Sequence, residues 1–520
     1  MEALTRGAPS GEAGPPGGGA LVLVGFMGAG KSSAARALAA ELGAQAIDAD
    51  RELERELGEP LEDFFDREGE AAFRKREEEL VLRLLERPRG PVLALGGGAL
   101  GSERVRQALH AHTVVHLEVG TEEAWSRARG RGRPLARERD SFDRLHGERR
   151  ALYEAAADAI LPPLDREGAR RAAPALLALR DAPSASRMAW AAAASGEYPV
   201  FFGRGLLADG FFYPTDRRRF VVTDERVNEL HSVECEERIV VAGGEEQKNL
   251  RAAEAVLRRL ARAGAERGDL LVGVGGGVVG DLAGFCAAVY QRGMGHVQVP
   301  TSLVAQVDSA YGGKTGVDLP EGKNYVGAYH QPTAALCDPA ALDTLPAAEL
   351  AAGYPEVVKT ALVAGGELWT RVREGGQVTD EQIFRCLRTK LAVVAEDERD
   401  AGRRQVLNLG HTVGHAIETA TGYAHYRHGE AVGIGLLCAL WLSGAESLRR
   451  EVAGLLAARG LPLEFRGASV DDVLAAAGRD KKRTAGKVPF VLVAAPGEVT
   501  PGHFVSETDL RAAIEEAHAE

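Results

Sequence analysis

At 520 residues the chain is longer than one ordinary hydrophobic core can organise, so two or three domains are expected. A net charge of −12 argues against a nucleic-acid partner or a membrane surface, and no apolar run approaches the length of a membrane span. The five cysteines include no CxxC pair, which fits reduced thiols of a cytoplasmic protein better than a disulfide framework.

Residues 1–19 are rich in Gly, Pro and Ala and have no apolar signal core, so they read as a disordered tail. Over 20–180, short apolar strands at Leu21–Val24, Val92–Leu95 and Thr113–Leu117 alternate with helices at Ser32–Leu42 and Glu68–Leu85. This βαβ rhythm predicts a parallel sheet covered by helices. Residues 181–190, entered through Arg180-Asp-Ala-Pro-Ser, read as a linker. A second α/β series fills 191–346, with strands at Arg219–Thr223, Arg238–Val241, Leu270–Val274 and His296–Val299. Helical periodicity dominates 347–520, apart from a short mixed tail. The expected fold class is α/β: a parallel sheet covered by helices, then a second, Rossmann-like α/β domain, then a mostly helical domain.

The first chemical centre is Gly25-Phe-Met-Gly28-Ala29-Gly30-Lys31-Ser32-Ser33, set between a strand and a helix. Glycines at this spacing let backbone N–H groups close around phosphates, and the helix adds its positive end. Lys31 reaches the outer phosphates and Ser32 can ligate magnesium. Asp48-Ala-Asp50 follows the short strand Gln45–Ile47. The two carboxylates are expected to face different ways, one assisting the metal and the other an acceptor hydroxyl. Arg74 lies in a charge-rich helix, where a solvated face is the ordinary reading. Gly96-Gly97-Gly98 follows a strand and lets backbone approach a ligand. Arg131-Gly-Arg133-Pro134-Leu135 is a basic loop suited to a lid.

Together these elements resemble shikimate kinase over Leu21–Leu179. The resemblance implies magnesium at Ser32 and Asp48, ATP along Gly28–Ser33, and shikimate at Asp50, Arg74, Gly96, Gly97, Gly98 and Arg149. Lys31, Asp50 and Arg133 carry the catalytic roles it implies. Arg150 competes with Arg149, because Ala151 stands where the family pattern has proline.

The second centre opens with Gly275-Gly276-Gly277-Val278-Val-Gly280-Asp281, a literal match to the dinucleotide fingerprint. Asp224 ends a strand and can hold a ribose diol or cap a helix. His411 and His415 are one helical turn apart and can face one cavity. A zinc set would be completed by Glu356 or His428. Lys314, Lys323, Lys359 and Lys390 in an otherwise apolar region point to an anionic substrate.

The series Gly244-Glu245-Glu-Gln-Lys248, Gly275–Asp281, Tyr290-Gln-Arg292, Pro300-Thr301-Ser302, Gln306-Val-Asp308, Gly312-Gly-Lys314, Lys323-Asn324, Thr344-Leu-Pro, Glu356, Arg404–Glu418 and His428-Gly-Glu430 resembles 3-dehydroquinate synthase. The resemblance implies zinc or cobalt held by Glu356, His411 and His428, which moves His415 to the substrate side. NAD+ contacts then fall on Asp224, Glu245, Lys248, Gly277, Val278, Asp281, Thr301, Ser302, Asp308, Lys314, Lys323 and Thr344. Substrate contacts fall on Arg292, Asp308, Lys314, Asn324, Lys359, Lys390, Arg404, Asn408 and His415. Of these, Lys314, Arg404, Asn408 and His415 carry the catalytic roles. Arg292 matches an arginine supplied by a neighbouring subunit, which implies a homodimer. One of Lys481 and Lys482 is a further substrate contact.

The implied reactions are shikimate phosphorylation by ATP and conversion of 3-deoxy-D-arabino-heptulosonate 7-phosphate to 3-dehydroquinate and phosphate, with no net redox. Another sugar-phosphate cyclase, a metal-dependent polyol dehydrogenase, or one half acting as an inactive docking module are the alternatives.

Overall fold

The computed structural model describes residues 19–88, 90–128, 138–423, 425–478 and 489–519. Residues 1–18 of the expected tail, Arg133, Lys481 and Lys482 lie outside the described residues. The chain divides into two compact units, Met1–Trp190 and Ala191–Glu520.

In the first unit five parallel strands run in the order β2-β3-β1-β4-β5. They are β1 Leu21–Val24, β2 Ala46–Asp48, β3 Val92–Ala94, β4 Thr113–Leu117 and β5 Ala159–Leu161. Central β1 is Leu-Val-Leu-Val, with all four residues buried, as a parallel strand covered on both faces requires. The helix after it, Lys31–Leu42, starts at Gly30, whose φ of 83° suits glycine. The helix predicted over 68–85 begins earlier, at Leu61, and Gly69 (φ 81°, ψ 168°) breaks it internally. Strand β6, Arg187–Ala193, spans the division between the units, and its Met188 and Ala189 pair with β5. The expected linker therefore gives way to strand from Arg187 onward, because the run Met-Ala-Trp-Ala is apolar and buried.

The second unit has a parallel sheet ordered β7-β14-β11-β10-β8-β9. Its strands are β7 Gly196–Phe202, β8 Arg219–Asp224, β9 Glu237–Val241, β10 Leu270–Gly275, β11 Gly295–Pro300 and β14 Ala334–Cys337. The chain builds outward from β8 to β9, then returns to lay β10, β11 and β14 on the other side. The order reverses between β8 and β10, so the Gly-rich turn after β10 opens at the switch point where such sheets bind ligands. An antiparallel hairpin, β12 Lys314–Leu319 and β13 Gly322–Tyr329, carries three of the expected site residues.

From Ala347 the unit is mainly helical, with one late hairpin, β15 Pro489–Ala495 and β16 Glu498–Phe504. The helix Ala347–Ala364 is buried throughout Ala352–Val363, including the charged Glu356 and Lys359. Helices His411–Ala420 and His428–Leu442 share an apolar core of Val413, Ile417, Ala431 and Ile434. They approach so closely that a Cβ on Gly435 would overlap the Gly410 carbonyl and sit 2.8 Å from the Gly414 nitrogen. Gly435→Ala is expected to destabilise the unit by about 1–3 kcal/mol. A lower unfolding temperature with lost amide-exchange protection across 411–420 is the measurement that checks it.

Candidate active sites

In the first unit, one cavity of about 1080 Å³ is lined by Gly28, Gly30, Lys31, Ser32 and Ser33, by Asp48 and Asp50, and by Arg74, Gly96–Gly98 and Arg149. Ala29 is fully buried behind the loop. Gly28 (φ 89°) and Gly30 (φ 83°) hold the backbone in the left-handed region that opens its N–H groups. The Lys31 ammonium rests on the Gly25 and Phe26 carbonyls at 2.8 and 3.2 Å.

The expectation that Asp48 and Asp50 face opposite ways is corrected. β2 ends at Asp48 and a helix, Ala49–Leu57, starts at the next residue. Asp48 caps that helix, accepting from the Asp50 and Arg51 N–H groups, and both carboxylates line one cavity.

Arg74 is also corrected: it is not on a solvated face but half-buried against the triple glycine, 2.6 Å from Glu77. Arg149 faces the same glycines, while Arg150 turns away to Glu118 (2.9 Å) and Glu154 (2.8 Å). Tyr153 donates to the Gly97 carbonyl at 2.6 Å and braces the loop. Glu77 escaped the sequence reading. Burial raises its pKa, and Arg74 offsets this. The signal was available, since Glu77 follows Arg74 at i+3 on one helix face.

In the second unit, Glu356 is 1 % exposed, and neither of its oxygens receives a well-aligned hydrogen bond. Cationic and imidazole nitrogens surround it nonetheless: Lys359 Nζ at 2.5 Å, His411 Nε2 at 3.3 Å and His428 Nε2 at 3.6 Å. The His411 Nδ1 faces the Leu409 carbonyl at 3.2 Å and the His428 Nδ1 faces Glu418 at 3.3 Å, so both rings direct Nε2 to Glu356. His415 completes a trio of imidazoles with ring nitrogens within 4.8 Å of one another. The helical i,i+4 pairing and the Glu356–His411–His428 set thus meet in one place. A buried carboxylate facing two oriented imidazoles is a donor set that fits a divalent metal.

Desolvation opposes a charge on His428, but the neighbouring Glu356 and Glu418 carboxylates outweigh it and raise its pKa to about 10. Burial alone would raise Glu356, yet Lys359 and His411 hold it well below the usual carboxylate range.

Lys359 and Lys390 converge on Asp308 at 3.5 and 3.0 Å. The other two lysines go elsewhere. Lys314 pairs with Asp400 at 2.7 Å and is half-exposed, while Lys323 lies 3.0 Å from Glu418 and 3.4 Å from Glu245. Lys248 is buried against Asp281 at 2.6 Å. Gly277 and Val278 begin the helix Gly277–Val289 behind the Gly-rich turn, with Thr301 and Ser302 just past β11. Asp224 accepts from the Val227 N–H as a helix cap, and Thr344 donates to the Ala341 carbonyl. Asn324, near the start of β13, has a left-handed backbone (φ 55°), its N–H on Asp318. Arg404 is fully buried, donating to the Gly312 carbonyl at 2.9 Å and to the Glu398 carbonyl. Asn408 donates to the Gln405 carbonyl. Arg292 is exposed in a turn with left-handed φ at both Gln291 and Arg292.

The first unit thus has the architecture of a P-loop phosphotransferase, and the second pairs a nucleotide-type α/β half with a helical half carrying a metal-type donor set. Family models agree with this division. Residues 27–173 match shikimate kinase, 238–352 match the 3-dehydroquinate synthase N-terminal domain and 353–483 its C-terminal domain. The 3-dehydroquinate synthase of Acidithiobacillus ferrooxidans is 40 % identical over 355 residues, covering 62 % of this chain and 97 % of that protein. The Caulobacter vibrioides enzyme is 40 % identical over 357 residues, covering 62 % and 96 %. A solved 2-epi-5-epi-valiolone synthase from Streptomyces hygroscopicus, with NAD+ and Zn2+ bound, is 26 % identical with TM-score 0.57, covering 62 % of this chain and 96 % of that one. A 2-deoxy-scyllo-inosose synthase shares the fold at 24 % identity and TM-score 0.56, covering 64 % of this chain and 100 % of that one. The chain belongs to the 3-dehydroquinate synthase family and carries a shikimate kinase domain ahead of it. Among the described residues no helix is long and apolar enough to cross a membrane.

Glu77→Gln removes the charged partner that aims Arg74. The acceptor KM of the kinase is expected to rise by about tenfold or more, given about 1.5–3 kcal/mol for a hydrogen bond to a charged group. Steady-state kinetics with ATP saturating would check this.

Proposed function

We propose that the first unit transfers the γ-phosphoryl group of ATP to a hydroxyl of shikimate. The second unit converts 3-deoxy-D-arabino-heptulosonate 7-phosphate to 3-dehydroquinate and phosphate. In the kinase cavity, the P-loop N–H groups and Lys31 hold the phosphates. Ser32 and Asp48 are the residues that would hold magnesium. The Arg74 and Arg149 guanidiniums offer a fork to the acceptor carboxylate, and Asp50 accepts the proton that the acceptor hydroxyl loses. The lid role of Arg133 rests on the sequence resemblance.

In the synthase site, Glu356, His411 and His428 would hold the divalent metal. The Gly277 helix start, Lys248, Asp281, Thr301 and Ser302 would face NAD+. When bound, the metal supplies Lewis acidity to a substrate alcohol and NAD+ supplies a reversible hydride acceptor. Lys359 and Lys390 present positive charge to the substrate's phosphate or carboxylate, with Asp308 holding the two ammonium groups in place. Asn408 and His415 orient the reacting end. The observation that carries this reading is the buried Glu356 carboxylate enclosed by two imidazoles whose Nε2 atoms are turned toward it. Identity of 40 % to 3-dehydroquinate synthases, against 24–26 % to solved cyclases with other products, favours this substrate. We further propose a homodimer, in which exposed Arg292 reaches the neighbouring subunit's site, and a cytoplasmic location.

Two assays on the full chain test the assignment: phosphate release from the heptulosonate phosphate without net NADH, and shikimate-dependent ADP formation. Lys31→Met should abolish only the second, and His411→Ala only the first. Net NADH accumulation would instead make the second unit a dehydrogenase.

Burial pushes Lys390 down to about 8, with the opposing pull of Asp308 only partly compensating. Its charged form therefore prevails below pH 8 and is lost above. The synthase KM for its anionic substrate is expected to rise as pH increases through about 8. Lys390→Arg, permanently charged, should remove that limb from the pH profile. A KM profile unchanged by the substitution would count against the role.

A further inference from the structure

Glu418 is assigned no role in the reading above. It follows His411 by seven residues and His415 by three, so it lies on the same face of their helix. Its side chain is 2 % exposed. One oxygen lies 3.3 Å from His428 Nδ1, and the other 3.0 Å from the Lys323 ammonium. These partners belong to opposite sides of the site. His428 opens the helix His428–Leu442, and its Nε2 faces Glu356. Lys323 is on β13 of the hairpin, 3.4 Å from Glu245, whose carboxylate is 3.9 Å from Lys248. The Lys323 ammonium also lies 5.0 Å from the Tyr423 ring centre.

Burying a carboxylate costs several kcal/mol unless its partners are well placed. A neutral imidazole can offer Nε2 as a ligand only when Nδ1 carries the proton, and an acceptor at Nδ1 selects that tautomer. The His411 ring has the Leu409 carbonyl for this purpose; the His428 ring has Glu418. The same carboxylate neutralises the ammonium that the hairpin brings in from the cofactor half.

We propose that Glu418 is a positioning residue joining the two halves of the synthase site: it turns His428 Nε2 toward the metal position and anchors Lys323 beside the cofactor position. This rests on the metal-and-NAD+ reading above. Because one carboxylate serves both sides, binding at the two positions is energetically linked, and the linkage is reciprocal.

The test uses the full-length chain stripped of metal. Co2+ affinity is read from its visible absorption against a competing chelator, and NAD+ affinity from calorimetry with and without Co2+. Wild type should bind NAD+ more tightly when Co2+ is present. Glu418→Gln should weaken Co2+ by about 10–100-fold, the usual effect of losing an outer-shell partner, and abolish the Co2+ dependence of NAD+ binding. Lys323→Met should weaken NAD+ and leave Co2+ affinity at the wild-type level. Glu418→Asp, which keeps the charge but falls short of one partner, carries the same criterion should the Gln variant fail to fold. Co2+ and NAD+ affinities within about twofold of wild type in either Glu418 variant would overturn the assignment. Absence of Co2+ binding by the wild-type chain, or its persistence in His428→Ala, would overturn the metal reading itself and the Glu418 role with it.

Discussion

A carboxylate buried in the middle of a helix organises the synthase unit. Glu356 stands in a run of twelve buried residues, Ala352–Val363, where an uncompensated charge would cost several kcal/mol. Its own helix supplies one partner, Lys359, a turn further on. The remaining partners come from the helices that begin at His411 and His428. Those two helices can reach it because they pack at glycine distance, with Gly435 against Gly410 and Gly414. Helix packing, burial and ligand geometry are thus one constraint. The fold must bring three helices together there, or leave a charge stranded in an apolar interior.

The surrounding charges alternate in sign. Asp281, Lys248, Glu245, Lys323, Glu418, His428, Glu356, Lys359, Asp308 and Lys390 form a chain of neighbouring pairs from the Gly-rich turn to the helical half. No member is buried without an opposite charge beside it, which is how such a polar interior remains tolerable. The arrangement also leaves positive groups positioned for an anion. Lys359 and Lys390 share Asp308, and Lys359 also faces Glu356, so two carboxylates hold the two ammonium groups in place.

The kinase cavity solves a related problem with different means. Backbone N–H groups of the P-loop and the start of a helix meet the phosphates, so little side-chain charge has to be buried there. The arginines gather around the triple glycine instead, where the absence of side chains lets Arg74 and Arg149 lie against the backbone. Glu77 and Tyr153 then fix what would otherwise be long mobile groups. In both units the ligand-facing turn follows the end of a central parallel strand, β1 in one and β10 in the other.

The strand–glycine–helix signals at Gly25–Ser32 and Gly275–Asp281, the division into α/β and helical parts, and the chemical residue types were legible in the sequence. Each depends on local backbone chemistry or hydrophobic periodicity, which neighbouring residues encode. The Asp48–Asp50 geometry was misread because alternate residues of a strand share a face, and because the chain turns into a helix at Ala49. Arg74 was misread because its partner surface, the triple glycine, lies more than twenty positions away in the chain. Four lysines looked alike in sequence, yet two converge on Asp308 and two do not. Which partner each charged group meets is set by long-range packing among separate helices and strands. Only the tertiary structure therefore decided that Glu77 aims Arg74, that Arg149 rather than Arg150 faces the kinase cavity, and that Glu418 lies between His428 and Lys323.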